Sequence, residues 1–315
     1  MNLRAFLSRY GTAVGGLLVF LAFAASADNF LAIANLLNIA KHISFITILA
    51  IGFGMALTAG ELDLSFANVC SFAAVATGGL VHNGYPYAGA IAVGLGIGLG
   101  CGVANGLLVT MLRIPSLIAT LAMAAIANGL AFLVTGGVAF VGRWPAGFTM
   151  LGRGTILDIP VLPLWVALIA LAALFVLKQT RTGLRMVSTG EAAESARLAG
   201  IDVTRIKITG LALSGLAAGV TAVLLAASLS SAAPNSAGDF MLTTIAAVLL
   251  GMTMFEPGRP NIPGTIVGAL TIGILANGLV LLGAPYYIQD IALGVIIVLS
   301  VAISSSTLKR VAFTV

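Results

Sequence analysis

The chain has 315 residues, of which only 8% are charged and 60% are apolar, with a formal net charge of +5. Soluble proteins carry roughly 25% charged residues, so composition alone excludes an ordinary soluble domain. Runs of about 20 apolar residues, long enough to cross a hydrocarbon core roughly 30 Å thick, fill the chain and leave no room for a sizeable soluble domain.

In chain order, spans are predicted at 10–27, 43–59, 65–81, 88–112, 116–135, 159–177, 208–229, 241–255, 263–282 and 288–307. The runs are continuously apolar and lack the period-two alternation of a barrel strand, so they read as helices that satisfy their own backbone hydrogen bonds. The fold class expected is therefore all-α: a polytopic membrane protein of about ten helices in one transmembrane domain covering 1–315. The first run follows Arg4 and Arg9 and ends in the small residues 22–27, which also suits a secretory signal. Removing it would leave nine spans with the charges on opposite sides, so a retained span is the simpler reading. Segment 136–158, with Arg143, Trp144 and Arg153, is expected to pack over the outer mouth.

Charge fixes the orientation. With a cytoplasmic N-terminus, twelve basic residues fall inside (Arg4, Arg9, Arg113, Lys178, Arg181, Arg185, Arg197, Arg205, Lys207, Arg259, Lys309, Arg310) and three outside (Lys41, Arg143, Arg153). This is the positive-inside distribution, with both termini cytoplasmic, and it accounts for the net charge without nucleic acid. Cys70 and Cys101 fall in separate apolar runs and read as small packing residues, so neither a disulfide nor a metal site is expected. His42 and His82 fall at predicted outer span ends and carry no further information.

Polar residues inside the spans are few. The sharpest group is Gly60-Glu61-Leu62-Asp63-Leu64-Ser65, followed by Asn68, which interrupts two apolar runs. A carboxylate at the bilayer centre costs about 2.5–3.5 kcal/mol on insertion scales and normally faces a watery cavity or a partner. A tight cytoplasmic turn with both carboxylates wet is the alternative, and the pattern leaves both open. Asn105, Thr120, Asn128, Asn235 and Asn277 are further candidates for the substrate pathway, since an amide both donates and accepts toward a hydroxyl-rich ligand. The same groups also serve as glue between helices. Residues 103–109 (VANGLLV) and 275–281 (LANGLVL) echo each other in spans of opposite direction, as in an inverted repeat. Glycine clusters within spans, at 94, 96, 98, 100 and 102 and again at 264, 268 and 273, and is read mainly as close helix packing.

No run of Asp, Glu, Lys and His threads the spans as a proton relay would, so the permeant expected is neutral and polar. The sequence also lacks the G-x-x-x-x-G-K-[ST] loop that cradles phosphates. Any ATP-driven step belongs to another polypeptide, and no cofactor is expected. The loop at 178–207 is the one long charged cytoplasmic segment. In VSTGEAAESARLAGI (187–201), Ser188 or Thr189 can open a short helix, Glu191 and Glu194 suit its first turns, and Gly200 can close it.

These motifs, in this order, resemble the permease subunits of bacterial ATP-binding-cassette sugar importers, the ribose/xylose/arabinose group, which is related to the branched-chain amino-acid permeases. The family's G-G-I-D-L-S is similar to residues 60–65, and its N-G-L-L-V-x-x-x-[RK]-[IV]-P to residues 105–115. Its E-A-A-x-x-x-G contact motif resembles Glu194-Ser195-Ala196-Arg197-Leu198-Ala199-Gly200. Further matches run through Leu213-Ser214-Gly215-Leu216, Pro234-Asn235 and Asn277-Gly278-Leu279. The resemblance implies a pathway in a bacterial inner membrane, formed with a second permease subunit, in the simplest case another copy of this chain. Two cytoplasmic ATPase subunits would bind the segment around Glu191, Glu194, Ser195, Ala196, Arg197 and Gly200, and a periplasmic binding protein would deliver substrate. Departures stand at Glu61, Phe66-Ala67, Asn128, Met241-Leu242-Thr243 and Glu256-Pro257-Gly258-Arg259-Pro260, so the solute cannot be taken over from ribose. A carrier or facilitator working without an ATPase is the alternative. An intramembrane enzyme has only Glu61 and Asp63 as a candidate pair.

Overall fold

The computed structural model describes the backbone of residues 3–313 and the side chains of residues 12–300. Ten long apolar helices form the bundle: α1 (Leu3–Ser26), α2 (Ile33–Thr58), α3 (Phe66–His82), α4 (Tyr87–Thr110), α5 (Ser116–Thr135), α7 (Val161–Gln179), α10 (Val203–Leu229), α11 (Phe240–Gly251), α12 (Ile262–Leu281) and α13 (Tyr286–Phe313). Three short helices, α6 (Ala146–Arg153), α8 (Arg181–Glu191) and α9 (Ala193–Leu198), lie in the two long connections. Six of the ten are long and apolar enough to cross a bilayer, and the other four contain shorter apolar stretches. The all-α, roughly ten-span reading holds. The main departure is α2, which starts at Ile33, about ten residues before the predicted span, because Asn35, Asn38 and Lys41 continue the helix past its apolar stretch.

Two helices form the centre. In α2 and α10, 67% of the spanning stretch is buried, against 17% in α7, which is peripheral. α10 packs on α4, α2 and α3; α2 packs on α10, α11 and α12. The neighbours repeat in the same chain order with the central helices exchanged: the α3–α4 pair beside α10 corresponds to the α11–α12 pair beside α2, and α3–α5 to α11–α13. The two Ala-Asn-Gly-Leu sequences sit near the ends of α4 and α12.

Water-driven burial does not hold helices together in lipid, so close backbone approach must. On α4, a glycine at every fourth residue meets α10: a Cβ added at Gly98 would lie 2.8 Å from Gly219 Cα, and one at Gly106 would lie 2.8 Å from Ile208 Cα. Gly94 and Gly102 lie on the same stripe, while Gly96 and Gly100, on the other face, meet nothing within 4 Å. The second half uses the same device, with Gly251 of α11 against Gly264 of α12.

At one end of the bundle, β1 (Phe140–Val141) pairs antiparallel with β4 (Ser231–Ala232), joining the α5–α6 and α10–α11 connections. Beside it, α6 seats Phe148 fully inside and lays Gly152 against the last turns of α10, where Arg153 Nε donates to Ser228 O at 2.5 Å. A small hairpin, β2 (Thr155–Ile156) with β3 (Ile159–Pro160), leads into α7. Segment 136–158 thus packs over one end of the bundle, with Trp144 turned inward.

Candidate functional site

The break between α2 and α3 is held by hydrogen bonds from a neighbouring helix. Gly60, at φ +86°, turns the chain back after Thr58, a conformation that strains side-chain-bearing residues. The backbone that follows cannot use helical partners, and α5 supplies them instead. Leu62 N–H donates to Ser116 Oγ at 3.2 Å and Leu64 N–H to Thr120 Oγ1 at 3.1 Å. The Thr120 hydroxyl lies within donating distance of Ser116 O (2.8 Å) and Leu62 O (3.2 Å). Two residues spaced four apart on one helix face therefore hold an extended strand of chain inside the bundle.

Both carboxylates of the break are buried, Glu61 at 3% and Asp63 at 1% exposure, so neither sits in a wet turn. Glu61 forms an ion pair with Lys207 of α10 at 2.6 Å. Asp63 Oδ1 accepts from Ser65 N–H at 2.8 Å and from Ser65 Oγ at 2.6 Å, and Ser65 Oγ in turn accepts from Asn105 Nδ2 at 2.8 Å. Ser214 of α10 completes this group beside the carboxyl. Asn105 Oδ1 is buried without a hydrogen-bond partner. The structure thus gathers Glu61, Asp63, Ser65, Asn105 and Thr120 into one place. Asn68 and Asn128 stand half-buried on α3 and α5. Asn235 is exposed at φ +63° in the α10–α11 connection, and Asn277 forms a double amide hydrogen bond with Asn35, each arm 3.0 Å, that ties α12 to α2.

The charged segment after α7 folds as two helices rather than the single one expected. Thr180, not Ser188 or Thr189, opens the first by accepting from Gly183 N–H at 3.1 Å. Ser188 Oγ donates to Leu184 O at 3.0 Å, and Thr189 is packed inward. Ala192, at φ −156°, separates α8 from α9. Gly200 closes α9 as expected: at φ +82° it donates to Arg197 O, and Ile201 N–H donates to Ala196 O, the paired bonds of a Schellman end.

α8 is seated on the break. A Cβ added at Gly190 would lie 3.1 Å from Gly60 N and closer still to Thr58 O, so the two backbones touch. Met186 is fully buried beneath α8. Glu191 pairs with Arg259 at 2.5 Å and Lys178 with Glu256, tying the segment to the α11–α12 connection as well. α9 turns only Ala196 inward and leaves Glu194, Ser195, Arg197 and Leu198 exposed. A cleft of about 840 Å³ separates α9 from the α4–α5 turn and the break. Ser116 and Gly190, which sequence reasoning did not single out, belong to this assembly, as do Lys207 and Ser214, legible there only as a cytoplasmic base and as part of a motif. Lys207 was legible as a base, but nothing marked its partner.

A helical bundle buried in lipid, broken at one end and gripped there by an outlying helix pair, is the architecture of a membrane permease. Residues 35–301 match the family described as branched-chain amino acid transport system / permease component, and the chain belongs to that family. It is 34% identical to the ribose import permease protein of Bacillus subtilis over 87% of this chain and 85% of the relative. It is also 34% identical to the Escherichia coli K12 ribose import permease protein over 92% and 91%. The L-arabinose permease protein of Azospirillum brasilense is 32% identical over 94% and 87%. The fold is similar to that of a protein described as a metal-chelate type ABC transporter in an inward-facing conformation, at TM-score 0.51 and 12% identity, covering 97% of this chain and 99% of the other.

Proposed function

We propose that this chain forms the membrane pathway of an ATP-driven importer for a sugar or a similar small polar solute. The observation that carries the reading is the backbone contact between Gly190 of α8 and Gly60 of the break. It makes an outlying segment and a buried interruption of the spans move as one body. The importer reading is supported by the ribose and arabinose permeases among the relatives.

In this reading 1–315 is one transmembrane domain in a bacterial inner membrane, with both termini and α8–α9 on the cytoplasmic side. A cytoplasmic ATPase subunit binds the exposed face of α9, around Glu194, Ser195, Arg197 and Leu198, and hydrolyses the ATP. Its closure displaces α8–α9 as a rigid lever, which needs only a different fit of that face to two ATPase states. A periplasmic binding protein docks at the opposite end, over α6 and the β1–β4 pair. A second permease subunit, a copy of this chain, completes the pathway. Solute passes the half-buried amides Asn68 and Asn128 and meets the polar group around Asp63 and Asn105 when the break opens. Asn235 stands at the outer entry, and the Asn277–Asn35 pair is broken and remade as α12 shifts against α2.

The test is uptake of labelled ribose, arabinose and xylose into proteoliposomes holding this chain, its ATPase subunit and its binding protein. Uptake that requires ATP and both partners is expected. Uptake by this chain alone, driven by an ion gradient, would establish a secondary carrier instead.

A further inference from the structure

The cleft between α9 and the α4–α5 turn has a simple charge balance. Every carboxylate that lines it is held by a base: Glu61 by Lys207, Glu191 by Arg259, Glu194 by Arg197 and Asp202 by Arg205. One lining base, Arg113, has no carboxylate within ion-pair distance among the described residues. The cleft therefore offers one unneutralised positive charge.

The backbone singles out the same residue. Arg113 adopts φ +54°, a left-handed conformation that strains a side-chain-bearing residue. Local strain of this kind concentrates where a binding geometry is held ready. Two residues on, Pro115 caps α5, and the N–H groups of Ser116 and Leu117, which have no backbone partner, and the positive end of the helix dipole lie beside the same space. Across the cleft, Thr189 is 2% exposed and its hydroxyl oxygen is buried without a hydrogen-bond partner. A cation, a helix N-terminus and a spare hydroxyl around one opening are complementary to a carboxylate.

We propose that Arg113 and the first turn of α5 form a second docking point for the ATPase subunit, receiving an acidic side chain from it. The proposal rests on α9 being the primary ATPase contact. α9 forms one wall of the cleft, so a body seated on its exposed face reaches the opening without leaving that face. Partner and permease would then be held at two points, one on each side of the break. A two-point grip transmits rotation as well as displacement.

The strain supplies a way to separate binding from folding. Arg113→Gly removes the charge and relieves the left-handed residue, so the variant should be at least as heat-stable as the parent in detergent. In phosphatidylcholine nanodiscs its affinity for the ATPase subunit should fall roughly tenfold or more, and the salt dependence of binding should flatten. Arg113→Glu should lose more, through repulsion. Unchanged affinity in both variants would overturn the proposal while leaving the importer reading intact. So would a loss seen only in nanodiscs containing anionic phosphatidylglycerol, because Arg113 would then serve a lipid phosphate. A parent chain that takes up no ATPase subunit at all would overturn both readings.

Discussion

At the scale of single residues, the ion pair between Glu61 and Lys207 is the most informative contact. Its members are unequally buried: the Glu61 side chain is 4% exposed and that of Lys207 28%. Removing the base strands a charge in the interior, whereas removing the acid leaves an amine that can hydrate. Breaking a buried pair from one side costs about 3–5 kcal/mol, while replacing both members is close to neutral. Lys207→Met should therefore destabilise the protein by about that amount, and Glu61→Gln by clearly less. The double variant should recover most of the loss, which thermal unfolding of all four proteins in one detergent would measure. Equal losses in the two single variants would show that burial does not set the energetics here. The residues themselves were readable in the sequence: a carboxylate breaking an apolar run and a base in the cytoplasmic loop. Their pairing was not, because it joins positions 146 apart across two packed helices. The same holds for Ser116 and Thr120, whose hydroxyls hold the backbone of the break from a helix more than 50 residues away.

At the scale of elements, the long apolar runs located all ten bundle helices, because hydropathy over 20 residues is a local property. The short helices were less legible. α8 opens at Thr180, just beyond Gln179, the last residue of α7, and its polar sequence RTGLRMVSTGE carries no hydropathy signal, so a later hydroxyl reads as the cap. Glycine composition also said less than glycine position. A stripe on α4 meets α10 backbone to backbone, and a second set, interleaved with it, faces open space. Gly98→Ala should force α4 and α10 apart and cost about 1–3 kcal/mol by overpacking. Gly96→Ala should be neutral or stabilise by up to about 1 kcal/mol, since alanine is the better helix former. Melting temperatures of the two variants, compared at equal expression, would read the difference directly. Similar behaviour of both would mean that this helix pair does not pack through the stripe.

At the scale of the whole molecule, the question is how a movement outside the bundle reaches the break within it. Two ties converge on the α8–α9 segment, Gly190 on Gly60 and Glu191 on Arg259, and Lys178 at the end of α7 adds a third beside it on Glu256. The two ion pairs are half-exposed and individually weak, as surface pairs are. The glycine contact is different, because hard-sphere contact between backbones cannot be screened or rearranged by rotamer changes. It touches the end of α2, which packs on α10, α11 and α12, so displacement there reaches both halves. Gly190→Ala inserts a methyl group where Gly60 and Thr58 already fill the space, and lifts α8 from its seat. The exposed face of α9 is untouched, so the ATPase subunit should still bind and still hydrolyse ATP. The solute moved per ATP should fall, by severalfold or more, because the lever no longer bears on the break. Measuring uptake and hydrolysis in the same proteoliposomes separates this from simple loss of assembly, in which both rates decline together. An unchanged ratio would place the mechanical joint elsewhere, with the α11–α12 connection through Arg259 as the remaining route.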